Sequence, residues 1–159
     1  MKVVLHVAEK PTVAKTIAQI LSGGKASKDP SDSKFNPNFS FKLNFPPVGD
    51  AAHVVTSVTG HLTEIDFVQP YRGWRSCQPI DLFSCPIEKT VPKDKRAIER
   101  NLKRLAKQSA HLVLWLDCDR EGENIAFEVV GVCLASKKTL TVHRAIFSSL
   151  VAAEVKKAY

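Results

Sequence analysis

The spacing of apolar and polar residues divides the chain into alternating strands and helices. Short apolar or alternating segments predict β-strands, and apolar residues at helical spacing predict amphipathic helices between them. This order predicts an α/β fold with a mainly parallel sheet and helices on both faces. The predicted strands cover residues 2–8, 52–58, 112–116 and 139–145, and the predicted helices begin at Pro11, at Lys93, after an acidic turn at 117–121, and at Ser148.

Two of the predicted strands lead directly into a turn and a helix. The first strand is followed by Glu9, Lys10 and Pro11, and proline suits the first turn of a helix because no backbone N–H is needed there. The third strand is followed by the acidic turn. If these strands are parallel, both turns lie at the carboxyl edge of the sheet, where open α/β sheets place their sites. We therefore expect Glu9 to approach the acidic turn and Lys10 to offer a cation to phosphate. The alternative is an ordinary surface pair of adjacent glutamate and lysine.

The acidic turn carries three carboxylates, Asp117, Asp119 and Glu121, within five residues. Such groups repel one another, and a hard divalent cation such as Mg²⁺ removes the repulsion because it prefers oxygen ligands. Asp117 and Asp119 are two residues apart, so an extended backbone directs both side chains to one side. The alternative is a solvated turn whose carboxylates cap the following helix. The residues of the turn alone leave both interpretations open.

Length and charge narrow the class of protein. A chain of 159 residues suits one compact domain, and its net charge is +7 although its best candidate site is acidic. This combination favours a polyanionic partner held by a basic surface, and solubility is the alternative explanation of the charge. The four cysteines form no C-x-x-C pair, which favours reduced thiols over a zinc site.

The segments between these elements give weaker signals. Residues 25–50 are expected to form an irregular insertion, with a short strand at 39–43 and phenylalanines that anchor it to the core rather than stack on bases. Residues 66–92 are expected to form a long surface connection. Lys93 to Lys107 is a basic amphipathic helix, for which a solvated face and a nucleic-acid surface both remain open. For His61, a structural role is favoured over a phosphate contact.

Five stretches of the chain together resemble a known domain. The Asp-x-Asp-x-Glu pattern alone is weak, but DCDREGEN after a buried strand, combined with an amino-terminal AEKP turn, is specific. In this order the stretches resemble the Toprim domain of type IA DNA topoisomerases over essentially the whole chain. Their residues are most similar to those of the eukaryotic topoisomerase III group, the alpha type more than the beta type. The stretches are VAEKPTVAKTIAQIL, TSVTGHL, RGWRSCQPIDLF, WLDCDREGENIAFEVV and HRAIFSSL.

The resemblance implies a Rossmann-like Toprim fold and a role for each matching residue. Glu9 would serve acid–base chemistry and the metal site, and Lys10 would contact the scissile phosphate. Asp117, Asp119 and Glu121 would hold Mg²⁺, with Mn²⁺ as a substitute. Two further residues, His61 and Arg144, would lie near the DNA backbone.

The resemblance also implies what else the activity needs. Type IA enzymes cleave, pass and religate single DNA strands with a tyrosine nucleophile in a later domain, and neither Tyr71 nor Tyr159 matches that motif. Residues 1–159 are therefore expected to be an amino-terminal fragment that is inactive alone. Its expected partners are single-stranded DNA, the remaining domains, a RecQ-family helicase and an OB-fold accessory protein, in the nucleus. The rivals are a non-catalytic nucleic-acid-binding Toprim module and a Toprim primase or nuclease.

Overall fold

Residues 2–159, the part of the chain that the computed structural model describes, form eight β-strands and four α-helices. The strands are β1 (Lys2–Ala8), β2 (Ser27–Asp29), β3 (Asn38–Phe45), β4 (Gly49–Ser57), β5 (Glu64–Phe67), β6 (Ile87–Thr90), β7 (His111–Trp115) and β8 (Thr141–Arg144). The helices are α1 (Pro11–Ser22), α2 (Arg96–Gln108), α3 (Arg120–Ser136) and α4 (Ala152–Ala158). Within this part of the chain, no helix is both long enough and apolar enough to cross a membrane.

Six of the strands form one sheet in the order β2-β3-β4-β1-β7-β8. β1 lies at its centre and pairs in parallel with β4 and β7, and β7 pairs in parallel with β8. The prediction of a mainly parallel sheet is therefore confirmed. β3 and β2 add an antiparallel extension at one side.

Helices cover both faces of this sheet, because alternate residues of a buried strand point to opposite sides. On β1, Leu5 and Val7 pack in one apolar cluster with residues of α2 and α3. Val4 and Ala8 pack in the other cluster with residues of α1 and α4. A strand covered on both faces needs a continuous apolar run, which is the pattern that the sequence shows at β1 and β7.

The expectation that residues 25–50 are irregular is wrong. The segment contains β2, β3 and the start of β4, and β3 pairs with β4 over seven residue pairs. Phe39, Phe41 and Phe45 are buried in the apolar cluster that includes residues of α1, which confirms that they anchor the segment. For Phe35, which is 80% exposed, the same expectation is wrong. The strand predicted at 39–43 lies within β3 and is confirmed, but its pairing was missed because polar residues and prolines dominate the rest of the segment. Whether the segment is an insertion stays a prediction.

Two other boundaries differ from the sequence-based expectation. The closing helix begins at Ala152 rather than Ser148, and Val151, which precedes it, is 61% exposed. Residues 66–92 are not wholly irregular, because β5 and β6 pair as a separate antiparallel ribbon.

A group of four histidines, here called the histidine cluster, lies on the sheet face below α1 and α4. The Trp115 indole N–H donates to His6 Nδ1 at 2.9 Å, so His6 carries its proton on Nε2 and donates to His53 Nδ1 at 2.9 Å. His53 in turn donates to the Leu43 carbonyl at 3.1 Å. This chain of hydrogen bonds crosses β7, β1, β4 and β3 and fixes both histidine tautomers. The four histidines are His6, His53, His111 and His143.

Candidate functional site

The predicted juxtaposition of the two turns follows from the register of the sheet. Ala8, the last residue of β1, lies directly beside Trp115, the last residue of β7. Because the strands are parallel, the Glu9–Lys10 turn and the acidic turn leave the sheet at the same edge. Five residues here form what we call the acidic edge: Glu9, Lys10, Asp117, Asp119 and Glu121.

Lys10 is the cation of the acidic edge. Its ammonium lies 3.2 Å from Glu9 Oε1, and the lysine side chain is solvent-exposed while Glu9 is almost buried. The hydrogen bond and charge of Glu9 raise the pKa of Lys10, and the charges of Asp117 and Glu121 raise it further. The charge of Lys10 therefore interacts with carboxylates from both turns, as the parallel arrangement predicted. It also precedes Pro11 at the start of α1, whose first turn has no side-chain cap.

Asp119 links the acidic turn to α3. It is the residue before the helix, and its Oδ1 accepts a hydrogen bond from the Gly122 N–H at 2.7 Å. The interpretation of a helix cap is thus correct for this carboxylate, whose second oxygen is not used by the cap. A side chain at Gly122 would lie 2.0 Å from the Asp117 carbonyl oxygen, so glycine lets the helix start directly against the turn.

Arg144 holds the acidic turn from the neighbouring strand β8. Its guanidinium donates to the Asp117 carbonyl oxygen at 2.9 Å and to Glu123 Oε1 at 2.8 Å. A third bond, at 2.8 Å, reaches the Ala145 carbonyl oxygen. The structure therefore places Arg144 at the site, where its donors fix the backbone of the turn. The expected contact with DNA stays a prediction.

His61 also lies at this edge, on the loop after β4. Its Nε2 is 3.9 Å from Glu121 Oε1, and its Nδ1 is 3.2 Å from Glu128 Oε1. A carboxylate only accepts hydrogen bonds, so Nδ1 carries the proton and Nε2 faces Glu121 and solvent. Gly60, with φ of +67°, makes the tight turn that precedes His61.

Glu128 is the residue of this region that the sequence interpretation missed. It is 5% exposed, and its carboxylate accepts bonds from the Leu62 N–H at 2.8 Å and the Thr63 N–H at 3.2 Å. Burial acts to raise the pKa of Glu128, but the bonds from Leu62, His61 and Thr63 outweigh it and lower the pKa. A signal was present, because Glu128 is three residues after Ile125 on the predicted apolar face of α3 and needs a partner there.

The basic helix α2 has fewer free charges than its sequence implies. The Lys95 ammonium donates to the Thr59 carbonyl oxygen at 2.9 Å, so it holds the loop that carries His61. Arg104 pairs with Asp32 at 3.0 Å, and Lys103 pairs with Glu99 one turn earlier. These contacts weaken the interpretation of α2 as the main nucleic-acid surface. Ile98, Leu102 and Leu105 are buried, as predicted.

Comparison with known proteins identifies the domain. The family model described as "Toprim domain" matches residues 4–150. The chain belongs to the Toprim family. This match confirms the Rossmann-like α/β fold and covers all residues of the acidic edge.

The chain is similar in sequence to eukaryotic topoisomerases. The chain is 50% identical to DNA topoisomerase 3 of Dictyostelium discoideum over 157 residues, which cover 99% of this chain and 19% of that protein. It is 49% identical to DNA topoisomerase 3-alpha of Arabidopsis thaliana (98% of this chain, 17% of that protein). It is 40% identical to the 3-beta protein of the same plant (98% of this chain, 18% of that protein), so the predicted preference for the alpha type is confirmed. The chain thus spans less than a quarter of the length of these relatives.

Toprim domains generally bind a divalent metal, and the acidic edge has suitable donors. Glu9, Asp117, Asp119 and Glu121 supply only hard oxygen atoms, which suit Mg²⁺. Among residues 2–159, no three histidine, cysteine or acidic side chains converge as a ready-made metal cage. Mg²⁺ commonly takes one or two carboxylates and completes its shell with water and substrate phosphate. The residues therefore fit a site that is completed by a phosphate.

Proposed function

We propose that this Toprim domain supplies the metal- and phosphate-binding half of the active site of a type IA DNA topoisomerase III. The main observation in support is that Lys10 and the acidic turn, more than 100 residues apart in sequence, meet at one edge of the sheet. A cation for phosphate beside oxygen ligands for a metal is the arrangement that phosphoryl transfer requires. The similarity to topoisomerase 3 proteins supports the choice of DNA as the phosphate donor.

The proposed reaction is transesterification of single-stranded DNA. A tyrosine oxygen from another domain attacks the phosphorus, a phosphotyrosyl bond forms, and the bond to the 3′ oxygen breaks. Lys10 binds the non-bridging phosphate oxygens and stabilises the charge that develops on them. The tyrosine proton passes to solvent. Glu9, in its protonated form, donates a proton to the leaving 3′ oxygen, and as a carboxylate it takes the proton back on religation.

The other residues of the site would keep these groups in place. Asp117, Asp119 and Glu121 would hold Mg²⁺, or Mn²⁺ in its place, which would supply electrostatic stabilisation and orient the broken end. Arg144 would fix the backbone of the acidic turn through its bond to the Asp117 carbonyl oxygen. His61, whose Nε2 faces solvent at this edge, would contact the DNA backbone.

The nucleophile is proposed to come from outside this chain. The Tyr159 hydroxyl donates to the Asn44 carbonyl oxygen at 2.8 Å, and burial raises the pKa of Tyr159 to about 12. Tyr71 lies in a short 3₁₀ turn after β5. Neither fits an activated nucleophile beside Lys10. The domain alone is therefore expected to be inactive.

The wider biological role is proposed from the similarity to the alpha-type relatives. It comprises relaxation of negative supercoils, resolution of recombination intermediates, nuclear location, and association with a RecQ-family helicase and an OB-fold accessory protein. Co-purification of the full-length protein from nuclei with both partners is the expected result. Recovery from another compartment without either partner would contradict this part of the proposal.

The test of the catalytic proposal uses a longer polypeptide that contains this domain and the tyrosine domain. It should relax negatively supercoiled plasmid in Mg²⁺, and Asp117→Asn should impair relaxation without lowering the melting temperature, because Asp117 is exposed. The matched control is Asp94→Asn, at an exposed aspartate before α2. Equal relaxation by all three proteins would overturn the proposed role of the acidic edge.

A further inference from the structure

Phe35 is an apolar side chain that the fold holds in solvent. It is 80% exposed, although Phe39, Phe41 and Phe45 in the same segment are buried. Exposing a phenylalanine ring forgoes the stabilisation that burial gives. The Phe35 ring does not anchor the segment and is free to contact a ligand.

The loop around Phe35 is fixed. Asn36, the next residue, is 1% exposed and donates to the Ser57 carbonyl oxygen at 3.1 Å and to the Val58 carbonyl oxygen at 3.1 Å. The Ser33 hydroxyl, also buried, donates to Asn36 Oδ1 at 2.8 Å. The loop is thus bonded to the end of β4 through Asn36, and Ser33, on the other side of Phe35, holds Asn36 in place. The ring stands on a rigid base, which reduces the entropy lost when a ligand binds.

The position of this loop relates Phe35 to the acidic edge. Ser57, which Asn36 contacts, lies beside Ala8 in the sheet, and the next residue after Ala8 is Glu9. Phe35 therefore stands at the carboxyl edge of the sheet, on the β4 side of the turn that carries Lys10.

Two basic side chains line the same cavity as the exposed Phe35 ring. Phe35 lines an open cavity with Lys15 of α1 and Lys28 of β2, and the cavity continues along α1 to its first turn. Both lysines are exposed, and neither forms an ion pair within residues 2–159. The nearby Asp32 is paired with Arg104 at 3.0 Å, so its charge is compensated. The remaining lining residues are Pro11, Thr12, Pro37 and Phe39.

We propose that this cavity binds one nucleotide of a single DNA strand, with the base stacked on Phe35 and the phosphates beside Lys15 and Lys28. A flat aromatic ring next to cations is the combination by which proteins hold unpaired bases without reading their sequence. The cavity reaches Pro11 and Thr12, next to Lys10, so one strand can occupy both places. The inference rests on the proposed function, because it continues the strand that Lys10 would hold.

The test measures binding of this chain to a short oligothymidylate that carries one 2-aminopurine, in EDTA and low salt. Stacking on Phe35 should quench the 2-aminopurine fluorescence, and Phe35→Ala should abolish the quenching and weaken binding on the order of tenfold. Phe83→Ala, at another exposed phenylalanine, is the matched control and should bind like the wild type. A fully paired duplex should not respond to Phe35→Ala, because its bases are already stacked.

Salt dependence tests the two lysines separately. Lys15→Gln and Lys28→Gln should each lower the slope of log affinity against log salt by about 0.7, the value for one lost phosphate contact on a single strand. Lys138→Gln, at an exposed lysine between α3 and β8, is the control and should leave the slope unchanged.

The outcomes separate this inference from the proposed function. If Lys10→Gln weakens binding and Phe35→Ala does not, the cavity is not a subsite but the proposed function survives. If Phe35→Ala does not weaken binding, or if the wild type does not bind single strands, the subsite is overturned, while the proposed function is decided separately by the relaxation assay of the longer polypeptide. Melting temperatures like that of the wild type show that a loss of affinity does not come from unfolding.

Discussion

Two groups of polar side chains on the same sheet differ in how their hydrogen bonds are used. In the histidine cluster, His6 and His53 are fully buried, and their ring nitrogens bond within the protein. At the acidic edge, Asp117, Asp119 and Glu121 are exposed, and the carboxylate oxygens of Asp117 and the second carboxylate oxygen of Asp119 have no hydrogen-bond partner within residues 2–159.

The difference separates a structural group from a functional one. Buried polar groups that satisfy one another stabilise a single arrangement of the strands. Charges of one sign that are held together in solvent repel each other and become favourable only when a cation or ligand arrives. We therefore expect substitutions in the histidine cluster to change stability, and substitutions at the acidic edge to change activity. Four predictions test this separation.

The largest expected effect is on catalysis. In the longer enzyme, Lys10→Gln should lower the rate of DNA cleavage by about 10² to 10³, the usual effect of losing one group that stabilises transition-state charge. The melting temperature should not change, because the Lys10 side chain is mostly exposed. Lys25→Gln, at an exposed lysine just beyond the other end of α1, is the control for both measurements. Equal cleavage by the two variants would remove Lys10 from the active site.

The next effect is on stability, at Trp115. Trp115→Phe removes the N–H that bonds His6 and leaves a buried nitrogen without a donor. Such a loss costs about 1–3 kcal/mol of unfolding free energy, measured by urea denaturation. Trp74→Phe, at a fully exposed tryptophan, should cost less than about 0.5 kcal/mol. Similar costs for the two variants would mean that the histidine cluster contributes no special stability.

The histidine cluster should also make stability depend on pH. Burial lowers the pKa of His6, His53 and His111. Above about pH 6.5 these histidines are neutral in both the folded and the unfolded chain. Below this pH these histidines bind protons in the unfolded chain but stay neutral in the folded chain. The free energy of unfolding therefore falls as the pH falls.

Each histidine should lower the free energy of unfolding by on the order of 1 kcal/mol for every unit by which its pKa in the folded chain lies below its pKa in the unfolded chain. Urea denaturation at about pH 7, 6 and 5 measures it above the range in which most carboxylates titrate. Asp117→Asn should give the same pH profile as the wild type, since Asp117 lies outside the histidine cluster. A constant unfolding free energy over this range would contradict the lowered pKa values.

The smallest effect distinguishes the two roles of Asp119. Asp119→Ala should cost about 1 kcal/mol of unfolding free energy, because the cap on Gly122 is lost. Asp119→Asn should cost close to nothing, because asparagine caps equally well, yet it removes the charge. In the longer enzyme, both variants should impair relaxation. If only the alanine variant did so, Asp119 would be a structural cap and not a metal ligand.

The elements with strong local patterns were predictable from the sequence, and the pairing of the weaker segments was not. The apolar runs of β1 and β7 and the turns after them were identified, so the meeting of Lys10 with the acidic turn followed from parallel pairing alone. Residues 39–43 of β3 were predicted as a short strand from their alternating pattern, but the hairpin of β3 with β4 was missed, because the polar residues and prolines of 25–50 indicated an irregular segment.

Side-chain partners were the least predictable part of the site. Nothing near His61 in sequence points to Glu128, which lies 67 residues away and meets it only because α3 packs beside the loop. The histidine cluster could not be predicted from the sequence either, because it depends on the register of four strands. Arg144 was recognised by resemblance, but its bonds to the acidic turn emerge only from the fold.

The most direct test of the central claim is Mn²⁺-induced broadening of backbone amide signals in a ¹⁵N-correlated NMR spectrum of this chain. Broadening detects a weakly bound ion. Weak binding is expected here, because the phosphate that completes the site is absent from the sample. The signals of Glu9 and Lys10 should broaden together with those of Asp117 to Glu121, because both turns surround one metal. Broadening of the acidic turn alone, diffuse broadening, or none at all would contradict this arrangement.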